Sequence, residues 1–355
     1  MLLSIEYLIS PILRYTPARD GRSQLNEPRR YGVLLPHFGA HASRENLVNG
    51  ARRIEAYGFD SVWVRDHLVF QPHGFEGTDP THLEPFVVLA AIAAATDRLI
   101  LGTGSLIPYR HPIHTANVIA SLDRIAGPGR LLMGWGLGSF QHEFDAVGLG
   151  AADRKVLLKE QLAVIRELWT GEPVDHQGTY YTFAGVDVHP EPVAHVPIWY
   201  CGASPAAVRR AVEYCDGWIP GRMPLRDYRL RIERMGSLAK KAGRAMPGAG
   251  TIPFVVPART TEEALRHIDV KAMAVEANRR YELPASGSFD TADDLDGALI
   301  YGTPEQIVAG VRRCQEAGAT HFVFDLRLRF AEFEEMVALV GEEVLPELRR
   351  GDPAA

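Results

Sequence analysis

The chain has 355 residues, 46% hydrophobic and 23% charged, enough apolar material for a full core and too much for a disordered protein. Its net charge of −6 excludes a globally basic nucleic-acid-binding surface, and no run of about 18 apolar residues offers a membrane-spanning helix. Three cysteines, Cys201, Cys215 and Cys314, lie far apart without CxxC spacing, which excludes a disulfide framework and weighs against a cysteine metal site. Residues 1–30 stand apart from the rest of the chain. Met1–Ile12 is apolar but has neither a basic lead nor a small-residue cleavage site, and Arg14–Arg30 is polar. The expectation is an N-terminal extension outside the core fold, with a cytoplasmic location by default.

From Tyr31 the pattern is regular. Eight nearly continuous apolar runs predict strands: Tyr31–Pro36, Ser61–Arg65, Leu99–Thr103, Arg130–Trp135, Pro197–Cys201, Gly217–Pro220, Thr251–Val256 and His321–Leu326. Between them lie amphipathic stretches of helical length. Leu47, Ala51, Ile54 and Tyr57 line one face of the first, and Leu157, Leu158, Leu162, Ile165 and Leu168 line a later one. Another opens with Thr303-Pro304-Glu305-Gln306, which reads as a capping box with proline at the first helical position. Eight βα units in succession predict one domain over residues 31–350, an α/β (β/α)8 TIM barrel, with an open doubly wound sheet as runner-up. Two long gaps predict insertions after strands 4 and 7. The first holds the β-prone Gly178–Phe183 and reads as a small hairpin. The second, Ala258–Ile300, reads as a lid.

Residues just past each strand carry the chemistry of a barrel. The third, fourth and fifth strands end in Gly102-Thr103-Gly104-Ser105, Gly134-Trp135-Gly136-Leu137-Gly138-Ser139 and Cys201-Gly202-Ala203-Ser204-Pro205. Three neighbouring ends without side chains would let a flat ring system lie on backbone, although tight turns alone also use glycine. Ser204-Pro205 predicts a helix start, with Ser204 as cap and its free N–H groups aimed at the mouth, where a phosphate would bind. Asp66-His67 closes the second strand as a candidate acid–base or hydrogen-bonding pair, and His142-Glu143 follows the glycines of the fourth. Phe70, Phe75, Tyr109, Trp135 and Phe140 near the strand ends point to an apolar pocket or to ordinary packing. Neither a dinucleotide fingerprint nor a Walker loop is present, and the first strand ends without the HxH pair of metal-dependent barrel hydrolases.

The runs Tyr31–Phe38, Ala56–Val64 with Asp66-His67, Leu101–Gly104 with Tyr109–Pro112, Gly134–Gly148, Leu168–Pro173 and Gly202–Pro205 with Asp216-Gly217-Trp218 together resemble the bacterial luciferase-like monooxygenase family. That family includes flavin-dependent monooxygenases and oxidoreductases that use the deazaflavin F420. The resemblance implies a barrel with the cofactor at its C-terminal mouth and a non-prolyl cis peptide near Gly104-Ser105. It implies Asp66, Gly104, Ser105, Gly136, Gly138, His142, Gly202, Ala203 and Ser204 around the cofactor, His67 as the catalytic residue, and a homodimer or higher oligomer. Deazaflavin members often carry glutamate where this chain has Ser139 and asparagine where it has His142, and members of the family more often read Gly-Gly where it has Cys201-Gly202. The sequence displays no Lys or Arg cluster for a polyglutamate tail. The first expectation is therefore a monooxygenase that takes reduced FMN from a separate reductase and uses O2 to oxygenate a small organic substrate. The alternative is an F420-dependent oxidoreductase that transfers hydride. A cofactor-binding protein without turnover is the reading from another class.

Overall fold

The computed structural model describes residues 28–352. The extension expected over residues 1–30 lies almost wholly outside them. Twelve strands follow in chain order: β1 (Arg30–Leu34), β2 (Ser61–Val64), β3 (Ile100–Leu106), β4 (Leu131–Trp135), β5 (Val174–Gln177), β6 (Thr182–Val186), β7 (Ile198–Tyr200), β8 (Gly217–Trp218), β9 (Gly248–Thr251), β10 (Phe254–Pro257), β11 (Leu299–Gly302) and β12 (His321–Phe324). Eight of them close into a parallel barrel in the order β1-β12-β9-β8-β7-β4-β3-β2, the (β/α)8 fold read from the sequence.

Seven of the eight expected barrel strands are in place. The seventh differs. The barrel uses Gly248–Thr251, and Phe254–Pro257 leaves it to pair in parallel with Leu299–Gly302. Gly248 and Gly250 hide the true strand, because glycine gives no strand signal. They are required there by space. A Cβ on Gly248 would come within 2.8 Å of the Trp199 ring, and one on Gly250 within 2.8 Å of Ile219.

The barrel interior is plugged by Leu34, Trp63, Leu132, Trp199, Ile219, Ile252 and Val323. Below them His321 is buried, with Nε2 at 2.8 Å from Ser61 Oγ, which also accepts the Trp63 indole N–H at 2.9 Å. Outside, the expected helix faces pack onto the strands. Leu157, Leu158, Leu162, Ile165 and Leu168 of the helix Arg154–Leu168 are all buried. The helix Pro304–Glu316 begins as predicted, Gln306 Oε1 accepting the Thr303 N–H at 2.8 Å.

Both insertions form units. The first contains the expected hairpin, β5 antiparallel to β6. The second is a small βαβ layer. The helices Thr261–Leu265 and Val270–Arg280 cross between β10 and β11 over a core of its own that includes Phe254, Val256, Met273, Phe289 and Leu299. Phe75 from the loop after β2 packs edge-on against Phe254 at 5.4 Å, so this layer closes over one side of the barrel mouth.

Candidate active site

The mouth holds a cleft of about 370 Å³, continuous with a deeper lobe of about 170 Å³ above the barrel axis. Its floor is backbone. Gly104-Ser105 from β3, Gly136–Gly138 after β4 and Gly202–Ser204 after β7 all face it. The Gly104–Ser105 peptide is cis. The β3–β4 register slips between Thr103 and Leu106, and the Thr103 hydroxyl repairs the gap. It accepts the Gly134 N–H at 2.9 Å and donates to the Gly134 carbonyl at 3.0 Å. The strand end thus turns aside without leaving buried backbone groups unmet.

Most residues expected to hold a cofactor meet here: Asp66, Gly104, Ser105, Gly136, Gly138, Gly202, Ala203 and Ser204 line the cleft, and so does His67. Two details differ. The helix after β7 begins at Ala207, and Ser204 does not cap it. The Ser204 carbonyl instead accepts the Ala207 N–H at 2.8 Å in a preceding turn. His142 turns away from the cleft, its Nε2 at 2.8 Å from the Val69 carbonyl. Both His142 and Glu143 lie on the short helix Gln141–Ala146, where consecutive side chains diverge by about 100°, and Glu143 takes the inward direction.

Glu143 is fully buried. It accepts the Leu68 N–H at 2.9 Å, the Val69 N–H at 3.3 Å and the Tyr109 hydroxyl, and both its oxygens lie 3.3 Å from His67 Nδ1. Burial pushes this carboxyl upward, but the bonds from His67, Tyr109 and Leu68 outweigh it and hold the group down at about 2. The Tyr109 phenol is pushed far up by burial and by the carboxylate it serves. Asp66 is engaged elsewhere. Arg110 grips its carboxylate with two bonds of 2.6 and 2.9 Å, and the Ile107 N–H adds a third at 3.0 Å.

The opposite wall is cationic. Arg65, Arg222, Arg280 and Arg327 line the deeper lobe. Asp325 and Glu76 neutralise Arg327, and Glu76 also meets Arg65. Arg280 pairs with Glu276. Arg222 stands at φ 50°, stacked 5.1 Å over Phe254, and makes no side-chain hydrogen bond or ion pair among the described residues. Four separate segments of the chain supply these arginines, so the sequence displays no cluster, and the expectation of a mouth without one is corrected. Of the aromatic residues, Tyr109 and Phe140 line the cleft, whereas Trp135 is buried in the surrounding core. His37 is structural. Its Nε2 accepts the Arg65 N–H at 2.9 Å, and Nδ1 lies 2.9 Å from the Leu35 carbonyl. Among the described residues no cluster of three or more His, Cys, Asp or Glu side chains could hold a metal, and no helix is long and apolar enough to cross a membrane.

A parallel barrel with a backbone floor between the ends of β3, β4 and β7 defines the class, and the comparison of sequences agrees. Residues 29–321 match the luciferase-like monooxygenase family, to which this chain belongs, and the chain is an oxidoreductase. It is 32% identical to the F420-dependent glucose-6-phosphate dehydrogenase of Microbacterium testaceum, over 88% of this chain and 97% of that protein. Among solved structures, an F420-dependent secondary alcohol dehydrogenase in complex with an F420–acetone adduct superimposes with a TM-score of 0.74 at 20% identity, covering 91% of this chain and all of that one. The oxygenating constituent of 3,6-diketocamphane monooxygenase from Pseudomonas putida, in complex with FMN, gives 0.73 at 19%, covering 91% and 99%. At these identities the two structures share the fold.

Proposed function

We propose that this protein is an F420-dependent oxidoreductase that moves a hydride between the deazaflavin and a small hydroxy or carbonyl compound. The observation that carries the reading is the 32% identity, over 88% of this chain, to an F420-dependent glucose-6-phosphate dehydrogenase, together with a glycine floor that admits a flat ring. A flat ring fits on the strand ends, where side chains are absent, and a Cβ added at Gly136 would strike Ser105. Glu76, Asp325 and Glu276 already offset three of the four arginines of the deeper lobe, so Arg222 is the guanidinium left for an anionic group. The Microbacterium testaceum relative is F420-dependent. That relative supports the deazaflavin reading over the reduced-FMN monooxygenase, for which the shared fold of the FMN-bound monooxygenase is the support.

The deazaflavin supplies a two-electron hydride acceptor. His67 moves the proton. With Nδ1 on Glu143, its Nε2 is left to accept the hydroxyl proton of an alcohol as the hydride leaves the same carbon, and to return it in the reducing direction. Glycines 104, 136, 138 and 202 admit the ring, and the second insertion shields the mouth from water. An unpaired Arg222 beside the cleft suits a substrate carrying a phosphate or carboxylate.

Titrating the purified protein with F420, FMN and reduced FMN under matched conditions tests the assignment. F420 is expected to bind about a hundredfold more tightly than either form of FMN, ~2.7 kcal/mol. Equal or tighter binding of reduced FMN would return the monooxygenase reading to first place.

A further inference from the structure

Three carboxylates line the catalytic cleft, and two are held by arginine: Asp66 by Arg110 and Asp325 by Arg327. Glu143 has no arginine or lysine. A carboxylate with no exposed surface and no guanidinium partner must be satisfied by backbone, hydroxyl and imidazole donors. Leu68 N–H and Val69 N–H both bond its Oε1, and the Tyr109 hydroxyl bonds Oε2. None of these donors can be inverted except the hydroxyl, because a backbone N–H only donates. The remaining neighbour is His67 Nδ1, equidistant from both oxygens. The imidazole is walled in by Phe70, Phe140 and His82, with ring centroids at 5.2, 5.6 and 5.2 Å. Its Nε2 meets no protein partner among the described residues.

From this geometry we infer that Glu143 is the positioning residue of the site: it fixes neutral His67 as the Nδ1–H tautomer and leaves the Nε2 lone pair for the ligand in the cleft. Tyr109 in turn fixes the carboxylate. An acceptor-only group opposite Nδ1 requires a proton there, and a ring with two nitrogens then has its only lone pair on the far side. The tautomer is a property of this chain alone. The use of that lone pair to take a substrate proton rests on the proposed hydride transfer.

The replacement Glu143→Gln makes a sharp test, because it keeps the shape and changes one acceptor into a donor. The two backbone N–H groups hold the amide oxygen, so the amide nitrogen faces Tyr109 and His67. Tyr109 can answer by accepting. His67, 3.3 Å from both positions, can keep its Nδ1 proton pointed at the amide oxygen or move it to Nε2 and accept from the amide nitrogen.

The experiment is nitrogen NMR of the full chain labelled at histidine, in neutral solution without ligand, with the His67 signals identified by their loss in His67→Gln. In the wild type, His67 is expected to be protonated on Nδ1. In Glu143→Gln its neutral form is expected to divide between the two tautomers. An Nε2–H tautomer in the wild type overturns the inference, and that result needs no variant to fold. F420 binding, followed by fluorescence on the same samples, is a separate readout. Failure of F420 to bind the wild type would remove the functional reading and leave the tautomer assignment standing.

Discussion

Asp66 and His67 are neighbours in the chain with opposite commitments. The Asp66 carboxylate is closed off by Arg110 and Ile107, so its first task is to tie the end of β2 to the loop after β3. Removing one partner of a buried ion pair leaves the other charge stranded, at a cost of roughly 3–5 kcal/mol. Arg110→Ala is therefore expected to lower the free energy of urea unfolding by about that amount while F420 affinity per folded molecule is retained. His67→Ala should behave the other way. Folding and F420 affinity are expected to persist while turnover falls by about 10²–10⁴. Lower stability with turnover unchanged would assign His67 to the scaffold. Both lie past the end of β2, where strand alternation no longer sets direction, and it is their partners, Arg110 for Asp66 and Glu143 for His67, that divide the labour.

At the scale of elements, the strand ends were legible because glycine runs are visible in a sequence, and the helices because their apolar residues recur at helical spacing. What was not legible is instructive. The barrel strand Gly248–Thr251 is written in residues chosen to clear Trp199 and Ile219, so it lacks the apolar signature, while the better signature at Phe254–Pro257 belongs to the insertion. The inward choice of Glu143 over His142 depends on the starting angle of a six-residue helix, which no spacing within it fixes. The loop after β4 gives a test at this scale. Gly138 adopts φ 73°, and a Cβ there would come within 2.8 Å of both Ile107 and Phe144. Gly138→Ala is expected to cost about 1–3 kcal/mol and to displace the floor, weakening F420 binding together with stability. Thermal melts with and without F420 would show it, and an unchanged melting temperature would exclude a close-packed floor.

For the whole molecule, buried histidines set the response to acid. Burial, with help from neighbouring positive charge, pushes His321 and His82 down to about 3, and His37 well below its ordinary value for the same reason. Each stays neutral in the folded state and takes up a proton when the chain unfolds below about pH 6.5. Their stabilising contribution is complete above that pH and is lost as pH falls toward 3. Asp216 acts in the opposite sense. Burial raises its carboxyl to about 6, so it holds a proton in the folded state that the unfolded chain gives up above about pH 3.8. Three groups outweigh one, and unfolding free energy is expected to drop between pH 6.5 and pH 4 with a slope of a few kcal/mol per unit, each uncompensated proton contributing about 1.4. A flat profile across that range would show that the three imidazoles are hydrated.

The layer built on β10 and β11 has a core distinct from the one that surrounds the barrel. It also carries Arg280 and rests against Arg222, whose carbonyl accepts the Tyr281 hydroxyl at 3.0 Å. His67, the glycine floor and three of the four wall arginines belong to the barrel, and the layer contributes Arg280 and the cover of the mouth. Such a division makes the layer an exchangeable cassette. Grafting it, from Phe254 to Gly302, onto another barrel of this family should replace the cover of the mouth and one of its arginines while His67 and Arg222 stay those of the host, so that lineages of this fold can reshape the entrance without rebuilding the floor.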